Sequence, residues 1–261
     1  MSSSSPKISR INTDLFLVHE SEIFSFFGSK NESYNDMIKL LELNCNRLMY
    51  EFKVSLDSKI NVEIYPNLEI YHSNMWVGLQ PNVDFQCNDQ IIGNMDESTN
   101  SIKIVTPYNP GPVHNYSTVV KTVLHEFIHV LTMTKFKAEN NSYSQESFMK
   151  VMWLHEAIAV YESDQHKDFM PVFLKNVRKK LPSFSDLNNL QFRYIIAWSF
   201  AEFMTIRFSK LQLLELMTRV GQAKEITGLT EAELETNWQN WLTEKYIRVD
   251  LNLTQPTTLA T

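Results

Sequence analysis

Two histidines four residues apart, with a glutamate beside the first, give this sequence its strongest chemical signal: His125, Glu126 and His129 in the run HEFIH. On an α-helix four residues turn the chain by roughly 400°, so both imidazoles lie on one face and can bind one metal ion. Glu126 projects roughly 100° away from His125, which places its carboxylate beside such an ion. A carboxylate there suits a general base that takes a proton from zinc-bound water. The spacing predicts a hydrolytic zinc site with two histidine ligands and a glutamate base.

The segment around this motif has the apolar spacing of a buried helix. Apolar residues recur every three to four positions from Val119 to Leu131, and neither Pro nor Gly occurs between Asn115 and Phe136. An H-E-x-x-H run arises by chance in roughly one chain in seventy of this composition, so a third ligand has to decide whether the site is real.

Catalytic zinc usually keeps three protein ligands and one open position. The extended run H-E-x-x-H-x-x-G-x-x-H is excluded, because Thr132 stands in place of its Gly and Lys135 in place of its last His. Downstream, Glu156 lies in the apolar segment WLHEAIAVY, where an unpaired carboxylate would be costly to bury. We predict Glu156 as the third ligand; the alternative is a buried ion pair with Arg178 or Lys175.

Three other residues are weaker candidates for this ligand. Glu146 lies closer to His129 in sequence, but near a polar helix start. His155 points roughly 100° away from Glu156 on the same helix. His166 belongs to the charged segment DQHKD.

HEFIH followed by WLHEAIAVY resembles the gluzincin metallopeptidases, in particular the peptidase MA-like family, whose second helix typically reads W-L-x-E-G-x-A-x-Y. Ala157 stands where that pattern has Gly, and the similarity runs from about Val62 to Tyr246. The resemblance implies Zn²⁺ as the cofactor and peptide-bond hydrolysis as the reaction. It implies four site residues: His125, His129 and Glu156 as zinc ligands and Glu126 as the base.

The resemblance also implies a Tyr on a later helix facing the metal, where it would share the charge of the oxyanion. Tyr194 is the candidate for this catalytic role, and an ordinary tyrosine at the edge of the core is the equal alternative. The neighbouring residue Arg193 also has two interpretations: it binds a substrate carboxylate, or it is a solvated side chain.

An edge strand before the zinc helix would pair with the substrate backbone in a gluzincin. Residues 101–106 alternate and are β-branched, which predicts a strand, and residues 91–95 form either this edge or the strand before it. The segment 93–97 is weakly similar to the Gly-Ala-Met-Glu-Asn loop of aminopeptidase-like gluzincins, but a Gly in a turn between strands is the favoured interpretation. Asp96 and Glu97 are candidate acidic anchors for exopeptidase action.

Composition limits the partners. With 261 residues, 43% of them apolar, the chain can bury a substantial core, and its net charge of −6 gives no electrostatic case for nucleic acid or an anionic membrane. We expect no signal peptide and no membrane span. Cys45 and Cys87 are too few for a disulfide framework, and Cys45 has the setting of a small core residue. A cytoplasmic protein is the default expectation.

Hydrophobic spacing predicts a strand-rich front and a helical back. Predicted helices cover about 32–52, 115–136, 144–165, 169–180, 190–208, 209–220 and 230–248, and predicted strands cover 60–65, 68–72, 75–79, 91–95 and 102–106. Thr230, with Glu233 three residues on, predicts a capping box for the last helix. These elements predict an α+β fold, with a strand-rich N-terminal lobe and a helical C-terminal lobe flanking a zinc cleft as in thermolysin-like gluzincins.

We predict one metallopeptidase-like catalytic domain over residues 1–255. It comprises an N-terminal helix and mixed sheet lobe over about 1–112 and a helical lobe over about 113–250, followed by a frayed tail at 256–261. The predicted function is that of a zinc metallopeptidase acting on a peptide or protein substrate. The alternative is a non-catalytic metallopeptidase-like binding or regulatory protein that retains zinc. A structural zinc site usually has four protein ligands and no use for Glu126, which favours the enzyme.

Overall fold

The computed structural model describes residues 14–75, 89–140 and 145–248, and these form a mixed arrangement of helices and one five-stranded sheet. The strands are β1 (Phe16–Glu20), β2 (Phe24–Gly28), β3 (Ile60–Tyr65), β4 (Gly93–Asp96) and β5 (Ser101–Val105). The longer helices are α1 (Asn35–Phe52), α3 (Tyr116–Glu139), α4 (Gln145–Glu162), α5 (His166–Lys179), α7 (Trp198–Arg207), α8 (Lys210–Thr218) and α10 (Glu231–Leu242). Shorter ones are α2 (Leu68–Met75), α6 (Leu190–Ile196), α9 (Ala223–Thr227), a 3-10 turn (Asp186–Asn188) and a π-helical segment (Thr243–Arg248).

The chain divides into two compact units. The first takes its described residues from Met1–Arg47 and Ser55–Val130, and the second from Leu48–Val54 and Leu131–Thr261. Both α1 and α3 run through a boundary, so each of these helices contributes residues to both units.

The first unit is built on the sheet. Its strand order is β1-β2-β3-β5-β4; β2, β3 and β5 are parallel, while β1 and β4 pair antiparallel with the inner strands and form the two edges. Parallel β2 and β3 need a crossover, and α1 supplies it. The core of this unit combines apolar residues of the sheet, α1 and α3 that are fully buried: Phe24, Phe26, Met37, Leu41, Ile60, Val62, Ile102, Ile104, Val123 and Phe127.

The second unit is helical and its core is aromatic. The Trp198 ring lies 4.6 Å from that of Phe173, and the Phe184 ring stacks on Trp238 at 5.7 Å. The predicted capping box of the last helix is confirmed, because the Thr230 hydroxyl accepts from the Glu233 amide and the Glu233 carboxylate accepts from the Thr230 amide. Among the described helices, none combines the length and the apolar character needed to cross a membrane.

Most predicted elements are confirmed, and two are wrong. The strand expected at 68–72 is the helix α2, because Asn67 caps it by accepting a hydrogen bond from the Ile70 amide at 2.9 Å. The helix expected over 190–208 is interrupted at Ala197, where Trp198 and Ser199 donate side-chain hydrogen bonds to carbonyls of the preceding turn at 2.7 Å.

Other predictions have mixed outcomes. Strands β1 and β2 and the short helix α9 were not predicted. In the strand expected at 75–79, Met75 is the last residue of α2 and positions 76–79 lie outside the described residues, as do Cys87 and the tail at 256–261. Cys45 is 4% exposed, which confirms it as a core residue.

Candidate metal centre

The HEFIH run lies in the middle of α3, a helix of 24 residues. Asn115 caps its start, because its side-chain oxygen accepts from the Thr118 amide at 3.0 Å. Val123, Phe127 and Ile128 are fully buried around the motif. The prediction of a buried helix is therefore confirmed, and its packing holds the backbone of both histidines rigid.

The two imidazoles converge on one point. The Nε2 atoms of His125 and His129 lie 2.9 Å apart, and the ring centroids are separated by 4.6 Å at an angle of 81°. His125 is 4% exposed, so its ring is held in place by the packing around it. Two nitrogens that face each other this closely either share one proton in a hydrogen bond or share one cation between their lone pairs.

Glu156 completes a group that can hold a metal ion. One ligand atom each from His125, His129 and Glu156 lies within 4.8 Å of the other two. Glu156 is on α4, and its helix neighbours Leu154, Ala157 and Ile158 are buried. A buried apolar helix thus directs a half-buried carboxylate towards a histidine pair, and the donor set is two imidazoles and one carboxylate.

Tyr194, the predicted oxyanion residue, lies beside this carboxylate. It is on α6 and half-buried, and its hydroxyl donates to Glu156 Oε1 at 3.3 Å. A hydroxyl that donates to a ligand carboxylate fixes which oxygen faces the metal. This contact gives Tyr194 a second candidate role, as a residue that orients a ligand.

Glu126, the predicted base, is 6% exposed and lies against the edge strand β4. A Cβ atom built on Gly93, the first residue of β4, would lie 2.7 Å from Thr122 Cγ2 and 3.1 Å from Glu126 Oε1. The strand predicted near residues 91–95 is thus an edge of the sheet, and it passes directly beside the carboxylate of Glu126.

The weaker ligand candidates lie elsewhere among the described residues. Glu146 is exposed and pairs with Lys150 at 2.9 Å. His155 is 2% exposed, with its ring between those of Phe136 and Phe148 at 5.8 and 4.8 Å. His166 packs against the Trp198 ring at 5.0 Å. None of the three belongs to the group of His125, His129 and Glu156.

The charged candidates for binding substrate have structural contacts. Arg193 is 9% exposed rather than solvated, and its guanidinium contacts Met152 Sδ at 2.8 Å and the Asn188 carbonyl at 3.3 Å. Asp96 pairs with Lys103 at 2.7 Å. Burial alone would raise the pKa of Asp96, but hydrogen bonds from Lys103 and Ser98 outweigh it and hold the pKa at about 2. Glu97 is exposed.

Arg178 and Lys175, the alternative partners of Glu156, are both exposed on α5.

Two contacts were not predicted from the sequence: that of Tyr194 with Glu156 and that of Gly93 with Glu126. A Gly inside an alternating segment does signal that another group approaches the backbone closely, but it does not say which group.

Comparison of the chain with family models, with curated proteins and with solved structures found no match. Its own residues therefore carry the functional interpretation.

Proposed function

We propose that this protein is a zinc-dependent metallopeptidase of the gluzincin type, with a cleft for an extended peptide. One observation supports the proposal most directly: His125 Nε2 and His129 Nε2 lie 2.9 Å apart and form a group with a carboxylate oxygen of Glu156. In the sequence, Glu126 directly follows the first of these histidines. Two imidazoles, one carboxylate and an open position are the ligand set of His₂Glu zinc peptidases.

The donor chemistry fits zinc. Imidazole nitrogens and a carboxylate oxygen suit zinc, and three protein ligands leave one position for water or substrate. The same donor set also suits iron(II) in oxygenases. The Glu126 carboxylate favours hydrolysis, because oxygenase chemistry needs no general base next to the first histidine.

In this mechanism His125, His129 and Glu156 would hold the ion. When bound, zinc would supply a Lewis acid that polarises the scissile carbonyl and lowers the pKa of water. Glu126 would accept a proton on its carboxylate from the attacking water and deliver it to the amine nitrogen as the C–N bond breaks. Its low exposure of 6% would limit proton exchange with bulk solvent during the reaction.

The substrate would extend along β4. Backbone groups on the outer side of an edge strand can pair with an added strand, which suits a peptide in extended conformation. β4 passes beside Glu126, so a peptide bond paired there would lie near the base. Tyr194 would assist, either by donating to the oxyanion or by orienting Glu156.

The variant Glu126→Gln tests this proposal, because an amide keeps the shape of the side chain and cannot act as a base. We expect kcat on a peptide library to fall by at least about 100-fold while zinc stays at one equivalent by mass spectrometry. Glu139→Gln is the matched control: it is the same change on the same helix, at an exposed residue that pairs with Lys135. It should keep both activity and zinc.

Three results would overturn the proposal. Equal peptidase activity in Glu126→Gln and the wild type, both loaded with zinc, would show that Glu126 is not the general base. A zinc-loaded wild type with no activity would favour a binding or regulatory protein. If the protein purifies with less than about a tenth of an equivalent of zinc, or with iron instead, the proposal of a zinc site is contradicted.

A further inference from the structure

The start of the edge strand meets the HEFIH helix with almost no space between them. Gly93 is half-buried and is the first residue of β4, where it pairs with Ile104 of β5. It faces two side chains one turn apart on α3, Thr122 and Glu126. A Cβ on Gly93 would overlap Thr122 Cγ2 at 2.7 Å and press on Glu126 Oε1 at 3.1 Å and Glu126 Cγ at 3.2 Å.

Of the two neighbours, Glu126 is the one that can move. Thr122 is β-branched and buried on a helix, and its hydroxyl donates to the Thr118 carbonyl at 2.9 Å, so rotation about χ1 would break that bond. The backbone of Gly93 is held by pairing with β5. Because Thr122 does not yield easily, its overlap with an added methyl at 2.7 Å would push that methyl towards Glu126. Glu126 has three rotatable side-chain bonds, so its carboxylate would give way.

We infer that Gly93 is a positioning residue for Glu126: its missing side chain leaves the space that the carboxylate occupies. This inference rests on the proposed function for its catalytic consequence, because Glu126 is the proposed base. The position of Glu126 itself is a separate observable. A methyl group at residue 93 pushes the carboxylate away from the place in which it would take a proton.

The test is a double-mutant cycle of Gly93→Ala and Thr122→Ser. Gly93→Ala is expected to lower kcat on the order of 100-fold, with KM changed less than threefold and zinc affinity unchanged, because a displacement near 1 Å at a catalytic group costs about that much. Thr122→Ser removes Cγ2 and keeps the hydroxyl, so the new methyl can move towards the helix instead of towards Glu126. The double variant should therefore recover at least tenfold of the lost kcat relative to Gly93→Ala.

A kcat for Gly93→Ala within threefold of wild type would overturn the inference, and so would a loss that Thr122→Ser does not relieve. If Gly93→Ala does not fold, the comparison is made in the Thr122→Ser background. In that background the double variant should fold and keep kcat within about tenfold of Thr122→Ser. A double variant that does not fold, or whose kcat falls further, would contradict the inference that residue 93, Thr122 and Glu126 compete for the same space.

A crystal structure of Gly93→Ala separates this inference from the proposed function. The Glu126 carboxylate is expected to be displaced by about 1 Å or to adopt another rotamer, whether or not the wild type cleaves peptides. An unchanged Glu126 would overturn the positioning role. An inactive wild type with a displaced Glu126 in the variant would instead overturn only the peptidase.

Discussion

His125 and His129 face each other through nitrogens rather than through carbon edges, with Nε2 to Nε2 at 2.9 Å. If both imidazoles were protonated, two N–H donors would oppose each other there, so the arrangement requires an acceptor nitrogen or a cation. The neighbouring carboxylate of Glu156 adds negative charge and makes a cation the better solution. The three side chains thus form a group that could hold a metal ion.

For Tyr194 the structure adds a contact with Glu156 that gives it a second candidate role, while its oxyanion role stays a prediction. The sequence predicted an oxyanion donor, and the hydroxyl donates to Glu156 Oε1 at 3.3 Å. A donor to one carboxylate oxygen raises metal affinity by holding the other oxygen in place, and loss of such a partner typically costs 10- to 100-fold, on the order of 1 to 3 kcal/mol.

We therefore expect Tyr194→Phe to weaken zinc binding by roughly tenfold or more in a competition titration with a chelator. Tyr108→Phe is the matched control, because it loses the hydrogen bond to the Ser33 carbonyl at 2.6 Å and touches none of the proposed ligands. Unchanged zinc affinity in Tyr194→Phe, together with a reduced kcat, would contradict the orienting role and support the oxyanion role instead.

At the scale of elements, α3 matters because it is long and continuous. Its 24 residues contribute to both compact units, and its packed middle carries the two histidines and Glu126. Periodicity alone predicted this helix, because apolar residues at three- and four-residue spacing have few other ways to be buried. The short helix α2 was predicted as a strand, because Leu68, Ile70 and Tyr71 are compatible with either element until a cap such as Asn67 is recognised.

The edge strand β4 is held in register by a buried ion pair. Asp96, at its end, accepts from Lys103 of β5 at 2.7 Å, and the side chains are only 18% and 8% exposed. The pKa of Asp96 is about 2, below its ordinary value of 3.8, so the ionised form stabilises the fold. This contribution is fully present above about pH 4 and is lost as the pH falls towards 2.

Asp96→Asn is accordingly expected to lower the free energy of unfolding by about 2 kcal/mol at pH 7, measured by urea denaturation. The difference from wild type should shrink below pH 4 and nearly vanish near pH 2. Asp57→Asn, an exposed residue in the loop before β3, should change the free energy by less than about 0.5 kcal/mol. A difference that persists undiminished at pH 2 would show that the pair does not act through ionisation.

At the scale of the whole molecule, the proposed ligands lie on α3 and α4, 27 residues apart between His129 and Glu156 (156 − 129). An ion bound only by the folded chain stabilises it by mass action, by about 3 kcal/mol when zinc is at one hundred times its Kd. For a chain of this size that corresponds to a rise in Tm of roughly 5 to 10 °C.

We expect zinc to raise the Tm of the wild type and of Glu126→Gln alike, and a chelator to reverse the rise, as measured by calorimetry. His129→Ala should show no such rise, because it removes one of the three ligands. If His129→Ala responds to zinc as strongly as the wild type, the ion is held elsewhere.

The mixture of helices and a sheet was predictable, since local periodicity and turn chemistry decide element type. The prediction of one catalytic domain, with lobes divided near residue 112, stays a prediction. The strand order could not be derived, because pairing joins segments far apart in the chain: Tyr65 of β3 pairs with Val105 of β5, which lies 40 positions later (105 − 65).

By itself the sequence identified the side chains that are candidates for metal ligands. Spacing of four along a helix puts His125 and His129 on one face, and the apolar sequence around Glu156 means that its carboxylate is costly to bury unless it is paired. Only the tertiary structure decided which side chains meet those groups: Glu156 rather than Glu146 beside the histidines, Tyr194 on Glu156, and the bare Gly93 against Glu126. The reason is physical. Helical periodicity acts over a few residues and can be read locally, whereas these contacts join positions 27 to 38 residues apart, whose distances depend on how whole elements pack.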